Sequence, residues 1–342
     1  MNGIICEEVG RLVWKEDLPE PVLEAGQAIV SIRRVGICGT DLHAYRGQQP
    51  FFSYPRILGH ELSGVIEQIG ENEKGLRVGD IVSVVPYMHC GKCSACRSGK
   101  TNCCQHMQVF GVHIDGGMRE RVLLPISHLI GTQGLTLDQS AILEPLAIGA
   151  HGIRRSGLVA GSGETVLVVG AGPIGLGIMA LARYAGANVI ALDINEERLA
   201  FCRDWAGVSH TINALEDAEN QLNELTNGEG APIVIDATGS VQSMQNAFGY
   251  VAHGGSLVYV GLVKQDITFN DPHFHSREMT LLGSRNATME DFEQVRKAIA
   301  AGYIDADRYV THRAGFAEAV GEFEHWLKPE SGVIKAMIEL GE

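Results

Sequence analysis

The spacing of apolar positions changes character near the middle of the chain. Up to residue 149, short runs rich in Val, Ile and Leu are cut by Gly, Pro and Asp, and the pattern predicts strands over 28–35, 62–69, 80–85 and 120–124. Residues 156–164 (SGLVAGSGE) are small and polar and read as a connection. Beyond them strands and helices alternate, with strands at 165–169, 188–192, 233–236, 256–260 and 280–282 and helices at 173–185 and 196–205. That alternation predicts a doubly wound parallel sheet, an α/β architecture. The remaining chain predicts helices over 289–301 and 316–328, the second stopped by Pro329, and an apolar strand over 333–340. The parallel sheet has by then used most of its strands, so this tail is expected to complete the first domain. With 342 residues, two domains are expected. One is β-rich and discontinuous, over 1–149 and 286–342; the other spans 150–285.

The β-rich part carries the densest chemistry. Residues 36–43, GICGTDLH, place a thiol, a hydroxyl, a carboxylate and an imidazole in eight positions with two glycines. Downstream stand His60 and Glu61. Cys38, His60 and Glu61 together offer the thiolate, imidazole and carboxylate that zinc takes at a catalytic site, with one position left open. Taken singly, Cys38 also reads as a small buried apolar residue and His60 as a structural histidine. Farther on, Cys90, Cys93, Cys96 and Cys104 follow a CxxCxxC…C pattern that predicts four thiolates around a structural zinc. The segment 88–105 has too few apolar residues for its own core, and a metal is expected to hold it together. Cys6, Cys103 and Cys202 are left as ordinary thiols.

In the alternating part, Gly170-Ala171-Gly172-Pro173-Ile174-Gly175 follows an apolar strand and opens a helix. This GxGxxG pattern lets a dinucleotide pyrophosphate approach the backbone at a helix N-terminus, as in a Rossmann domain. Asp193 ends the next strand at the interval where a carboxylate accepts hydrogen bonds from the adenosine ribose. It repels a 2′-phosphate, and Ile194 and Asn195 carry no compensating charge, so NAD is expected rather than NADP. Arg198 is placed to stack on adenine or to rescue NADP binding. The runs 236–239 (DATG) and 260–262, Val260, Gly261 and Leu262, end parallel strands at the edge where ligands bind. Asp236 equally suits a helix cap.

The formal net charge of −14 argues against nucleic acid or an anionic membrane as partner, since no basic cluster offsets it. The N-terminus lacks the basic start and cleavage site of a signal peptide, and no run of eighteen apolar residues occurs. A cytoplasmic protein is expected. A zinc ribbon for nucleic acid would require a basic face. A crystallin-like structural protein or a zinc-free quinone reductase would lack Cys38, His60 and Glu61.

With GHE at 59–61, GDIV at 79–82, DGG at 115–117 and GAGPIG at 170–175 in this order, the chain resembles the zinc-dependent medium-chain alcohol dehydrogenases over its whole length. The resemblance implies a GroES-like catalytic domain and a Rossmann domain, two zinc ions, and a homodimer or homotetramer. Glu144-Pro145 stands where classical members place a second cysteine ligand, so the chain is similar to the polyol, threonine and sugar-acid branch. In that branch Cys38, His60 and Glu61 would hold the catalytic zinc, with Glu144 bound directly or through water. The expected activity is hydride transfer from a secondary alcohol of a polyhydroxy sugar acid to NAD, with neutral polyols or L-threonine as alternative substrates. Thr40 and His43 would relay the proton, although Thr40 also reads as a turn hydroxyl and His43 as a surface residue. Asp41 would orient His60. The substrate pocket is expected to draw on Phe51, Phe52, Tyr54, His113, Arg285 and Asn286. Arg285 suits a carboxylate, and with Ser284 it also falls near the nicotinamide in family members.

Overall fold

A computed structural model describes residues 1–49 and 52–341, divided into two compact units, 1–144 with 306–342 and 145–305. Within the first, strand Gln27–Ile37 is mostly buried, with apolar residues on both faces interrupted by Arg33 and Arg34, and it takes a central place in the sheet. Glu61–Ile69 pairs with it antiparallel, and Ile81–Val84 and Leu129–Gly131 extend the sheet. On its other edge lies Lys335–Glu339, antiparallel, followed by Val310–Gly315, parallel to that strand. Arg121–Pro125 pairs with the first half of Gln27–Ile37, which Lys335–Glu339 leaves uncovered. Behind the sheet, Val30, Ile32, Leu62, Ile66, Met118, Phe323 and Ile338 form a continuous core.

In the second unit six parallel strands lie in the order 3-2-1-4-5-6, counted from Thr165–Val169 as the first. Leu167, Ile190, Ile212, Val234 and Leu257 bury the sheet under helices. The strand His210–Asn213 and the helix Ala218–Leu225 complete the winding; neither is predicted, because HTIN is too short and polar to stand out. Among the described residues no helix is long and apolar enough to cross a membrane.

The unit boundaries differ from those expected. The first falls after Glu144, inside a helix, Leu143–Ser156, that the sequence hides behind one proline and two glycines. Pro145 is tolerated in the first turn. A Cβ on Gly149 would lie 3.1 Å from the Ile178 amide and one on Gly152 2.9 Å from Val260, so the glycines permit close helix packing rather than break the helix. The connection therefore begins only after Ser156. The second boundary falls after Asp305, which assigns helix Met289–Ala300 to the second unit instead of the first. The expected helix 196–205 is α-helical over Glu196–Phe201 and widens to a π-turn over Cys202–Ala206, with the Trp205 indole donating to the Asp305 carbonyl. Helix Ala319–Trp326 starts late, since Glu318 turns back to accept the Gly315 amide.

Helix Met289–Ala300 is held at its start by Asp291, which is fully buried. Asp291 accepts the Thr288 amide at 2.8 Å and Arg154 Nε at 2.8 Å, and lies 2.9 Å from His151 Nδ1. Burial disfavours the ionised carboxyl, but His151 and Arg154 hold its pKa well below the usual range. Asp291→Ala removes the acceptor that His151 and Arg154 share, together with the cap, and is expected to destabilise the fold by roughly 3 kcal/mol. Thermal unfolding is the measurement, and an unchanged midpoint would deny the network this role.

Candidate functional site

Two strand ends meet where the chemistry was expected. Cys38 leaves the end of Gln27–Ile37 and caps the helix Gly39–Tyr45, while His60 and Glu61 begin Glu61–Ile69. Gly36 lies opposite Glu61 in the antiparallel register. The Cys38 thiol, a His60 ring nitrogen and a Glu61 carboxylate oxygen consequently lie within 4.8 Å of one another. Burial works against a charged His60, yet Asp41, Cys38 and Glu144 together raise its pKa well above the ordinary value. His60 Nδ1 is buried with no hydrogen-bond partner. This pocket of acidic groups around an orphaned imidazole nitrogen invites a cation, and the donor set fits zinc.

Asp41 acts differently from the expectation that it orients His60. Its Oδ1 lies 3.6 Å from His60 Nδ1, too far for a hydrogen bond. Instead Asp41 accepts the Cys38 amide at 2.9 Å and the Gly59 amide at 3.3 Å, clamping the two ligand segments together. Glu144 is buried at the start of its helix and accepts a hydrogen bond from the Tyr87 hydroxyl. Burial pushes its pKa up to about 7. Among the described residues, the metal-binding group contains Cys38, His60 and Glu61 but not Glu144. Lys335, Tyr87 and Tyr309 complete the surroundings; Lys335 donates to both Glu61 oxygens. None of the three was identified in the sequence. A lysine inside the apolar run VIKAMIEL was the available signal.

The sulfurs of Cys90, Cys93, Cys96 and Cys104 also lie within 4.8 Å of one another, and Cys103, exposed, is outside the set. Cys93 caps the four-residue helix Ser94–Arg97. Backbone amides of Cys96 and Gln105 bring its pKa down to about 6. Cys104 Sγ accepts the amides of Cys90 and His106, each at 3.3 Å. Burial pushes the Cys96 thiol the other way, up to about 12, and the four sulfurs together form a donor set that fits a second zinc.

In the second unit the loop 170–175 takes the form its glycines require. Gly170 has φ +100°, and a Cβ on Gly175 would stand 1.8 Å from the Gly170 carbonyl oxygen. Gly172 caps helix Pro173–Tyr184, with Pro173 in its first turn. Asp193 Oδ2 accepts the Ala171 amide at 2.6 Å and Oδ1 the Asn195 amide at 2.9 Å. Arg198 is exposed one turn into the next helix. Asp236 is buried and bonds Thr238 and Ser243, while Ser240 caps the following helix, so its side chain holds the DATG turn. A Cβ on Gly261 would meet the Gly239 amide at 2.5 Å, which locks the two ligand-edge turns together and leaves Leu262 73% exposed beside them.

The model for the alcohol dehydrogenase GroES-like domain matches residues 24–133, and that for the zinc-binding dehydrogenase matches residues 173–301. L-galactonate-5-dehydrogenase of Escherichia coli (strain K12) is 43% identical over 339 residues, covering 99% of this chain and 98% of that protein. The chain belongs to the zinc-type medium-chain alcohol dehydrogenases. This dehydrogenase is also similar to the structure of a short chain alcohol dehydrogenase (rspB) from E. coli CFT073 complexed with NADH, with TM-score 0.90, 28% identity and 99% of each chain covered. A zinc-binding dehydrogenase from Sinorhizobium meliloti 1021 bound to NADP gives TM-score 0.90 and 27% identity, again over 99% of each chain.

Of the other residues singled out in the dehydrogenase, Thr40 is half-buried and His43 exposed, one turn apart on the helix that follows Cys38. Phe52 and Tyr54 pack edge to face at 4.9 Å against the core, and the Tyr54 hydroxyl donates to the Ala44 carbonyl. Phe51 lies outside the described residues. His113 Nδ1 accepts the Val109 amide at 3.0 Å. Ser284, Arg285 and Asn286 follow strand Thr280–Gly283 in the second unit, Asn286 with φ +52°. Metal analysis should find about two zinc equivalents per chain. Cys96→Ser should lose one and expose 88–105 to protease, whereas Cys38→Ser should lose the other and leave that segment resistant. Loss of both from either substitution would show that the two groups are not independent sites.

Proposed function

We propose that this dehydrogenase oxidises a secondary alcohol of a sugar acid, an L-galactonate-like aldonate, with NAD as hydride acceptor. The observation that carries the reading is the convergence of Cys38, His60 and Glu61 in a chain that also holds the glycine-rich dinucleotide loop. The similarity to L-galactonate-5-dehydrogenase supports the substrate class. In this reading Cys38, His60 and Glu61 hold the catalytic zinc, Glu144 stands beside it as a direct or water-mediated partner, and Cys90, Cys93, Cys96 and Cys104 hold the structural one. Bound zinc supplies Lewis acidity, which lowers the pKa of the alcohol. Thr40 takes the proton and passes it toward His43 at the surface.

Gly170, Gly172, Pro173, Ile174 and Gly175 bind the pyrophosphate, and Asp193 accepts from the ribose hydroxyls, with Arg198 along the adenine. Val260, Gly261, Leu262 and Ser284 line the coenzyme. Arg285 either joins them or, with Asn286, His113, Phe51, Phe52 and Tyr54, receives the substrate and its carboxylate. Assembly as a homodimer or homotetramer in the cytoplasm goes with this reading. The sheet-edge strand Thr280–Gly283, with Leu281 exposed, supports self-association.

A panel of aldonates, neutral polyols and L-threonine, each with NAD and with NADP and read by dinucleotide absorbance, tests the proposal. Turnover should be highest for an aldonate with NAD; preference for a polyol, threonine or NADP would displace the corresponding part. Thr40→Val is expected to lower kcat roughly a hundredfold with dinucleotide affinity, measured by fluorescence titration, unchanged. Full turnover in that variant would remove Thr40 from the proton path.

A further inference from the structure

Tyr87 opens the two-residue strand Tyr87–Met88, which pairs antiparallel with Gln108–Val109 in a ribbon of its own. Just past Met88 the chain enters the cysteine lobe, and just before Gln108 it leaves it. The ribbon is therefore the stalk on which Cys90, Cys93, Cys96 and Cys104 are carried. Its strands are joined again at the lobe end: Cys104 Sγ accepts the Cys90 amide, two residues past one strand, and the His106 amide, two residues before the other. At the opposite end the Phe110 amide donates to the Pro86 carbonyl at 2.9 Å. The side chain of Tyr87 points away from the lobe. It is 4% exposed, and its hydroxyl donates to Glu144, which is 4% exposed as well. Glu144 in turn stands close enough to His60 and Glu61 for each to bear on its charge. A tyrosine that only filled the core would need no hydroxyl, and burying one unpaired costs free energy. Here the hydroxyl meets the one group that connects it to Cys38, His60 and Glu61.

We propose that Tyr87 is a positioning residue through which the cysteine lobe fixes Glu144 beside Cys38, His60 and Glu61, so that the lobe sets the geometry of the catalytic group as well as its own fold. The inference rests on the zinc-dehydrogenase reading above, in which both groups hold a metal. Tyr87 acts through Glu144. The lobe has too few apolar residues for its own core and depends on a metal for its order. Loss of that metal loosens the ribbon at its far end, the hydroxyl swings from Glu144, and a buried carboxylate next to the catalytic group is left without its donor.

The experiment is cadmium-113 NMR of the cadmium-substituted full chain, in which four sulfurs and a mixed sulfur, nitrogen and oxygen set give well-separated resonances. Tyr87→Phe should keep both resonances, shift the mixed-ligand one, and, with zinc restored, lower kcat/KM roughly tenfold. Cys96→Ser loses the four-sulfur resonance and should shift the mixed-ligand one in the same direction. In a Tyr87→Phe background Cys96→Ser should add no further shift, and in a Glu144→Ala background neither should Tyr87→Phe. Coupling between two sites is reciprocal, so Tyr87→Phe should also release metal from the four sulfurs to a chromophoric chelator roughly fivefold faster. That measurement leaves every sulfur in place and tests the link even if Cys96→Ser does not fold. A mixed-ligand resonance that stays in place in Tyr87→Phe, shifts that add in the double variant, or unchanged release from the four sulfurs overturns the inference and leaves the dehydrogenase reading standing. A wild-type chain with no resonance from Cys38 and His60 overturns the reading itself, and the inference with it.

Discussion

The catalytic unit depends on the register of three strands. Gly36 is opposite Glu61 on one side and Met337 on the other, and this alignment sets Cys38, His60, Glu61 and Lys335 at adjoining strand ends. A slip of one residue between Gln27–Ile37 and Glu61–Ile69 would turn Glu61 to the opposite face of the sheet and leave Lys335 buried without its partner. The pair therefore enforces the alignment that it needs. Because Lys335 lies 274 residues beyond Glu61, the site is complete only once the C-terminal strand has docked.

Charge explains why this arrangement is stable. Asp41, Glu61 and Glu144 are all buried within the first unit around the same thiol and imidazole, a combination that low dielectric would otherwise disfavour. Each is answered separately. Asp41 takes two backbone amides, Glu144 takes the Tyr87 hydroxyl, and Glu61 takes the lysine. Glu61 alone is hydrogen-bonded to a lysine, and among the described residues it is also the carboxylate that joins Cys38 and His60 in the metal-binding group. His60, which the surrounding acidic groups favour in its charged form, adds to the dipoles at Asp41 and Glu144.

What could be read from the sequence divides along the same line. Ligands close together in the chain announce themselves: CxxCxxC, GHE and GxGxxG each compress their chemistry into a few positions, and the alternating strands of the second unit follow from local periodicity. Partners that arrive from afar do not. Lys335 sits in an apolar strand and Tyr87 in a short one, with no motif around them, and only tertiary pairing gives either a role. Helix Leu143–Ser156 was hidden for a related reason. Its glycines look like breakers in one dimension and become intelligible only against Ile178 and Val260. Asp41 was found beside His60, but its two acceptor bonds go to backbone amides that no sequence pattern displays.

The second unit uses one carboxylate for two anchors. Both oxygens of Asp193 hold backbone amides, one from the glycine-rich loop at Ala171 and one from Asn195. A charged acceptor thus shapes the glycine-rich loop. Replacing it with a neutral side chain removes an anchor from that loop, whose Gly175 leaves no room for a Cβ and whose Gly170 has φ +100°. A charge-assisted hydrogen bond to an amide is stronger than a neutral one, so a serine or alanine there loosens the loop. Any substitution of Asp193 therefore requires the lost anchor to be supplied from elsewhere in the loop.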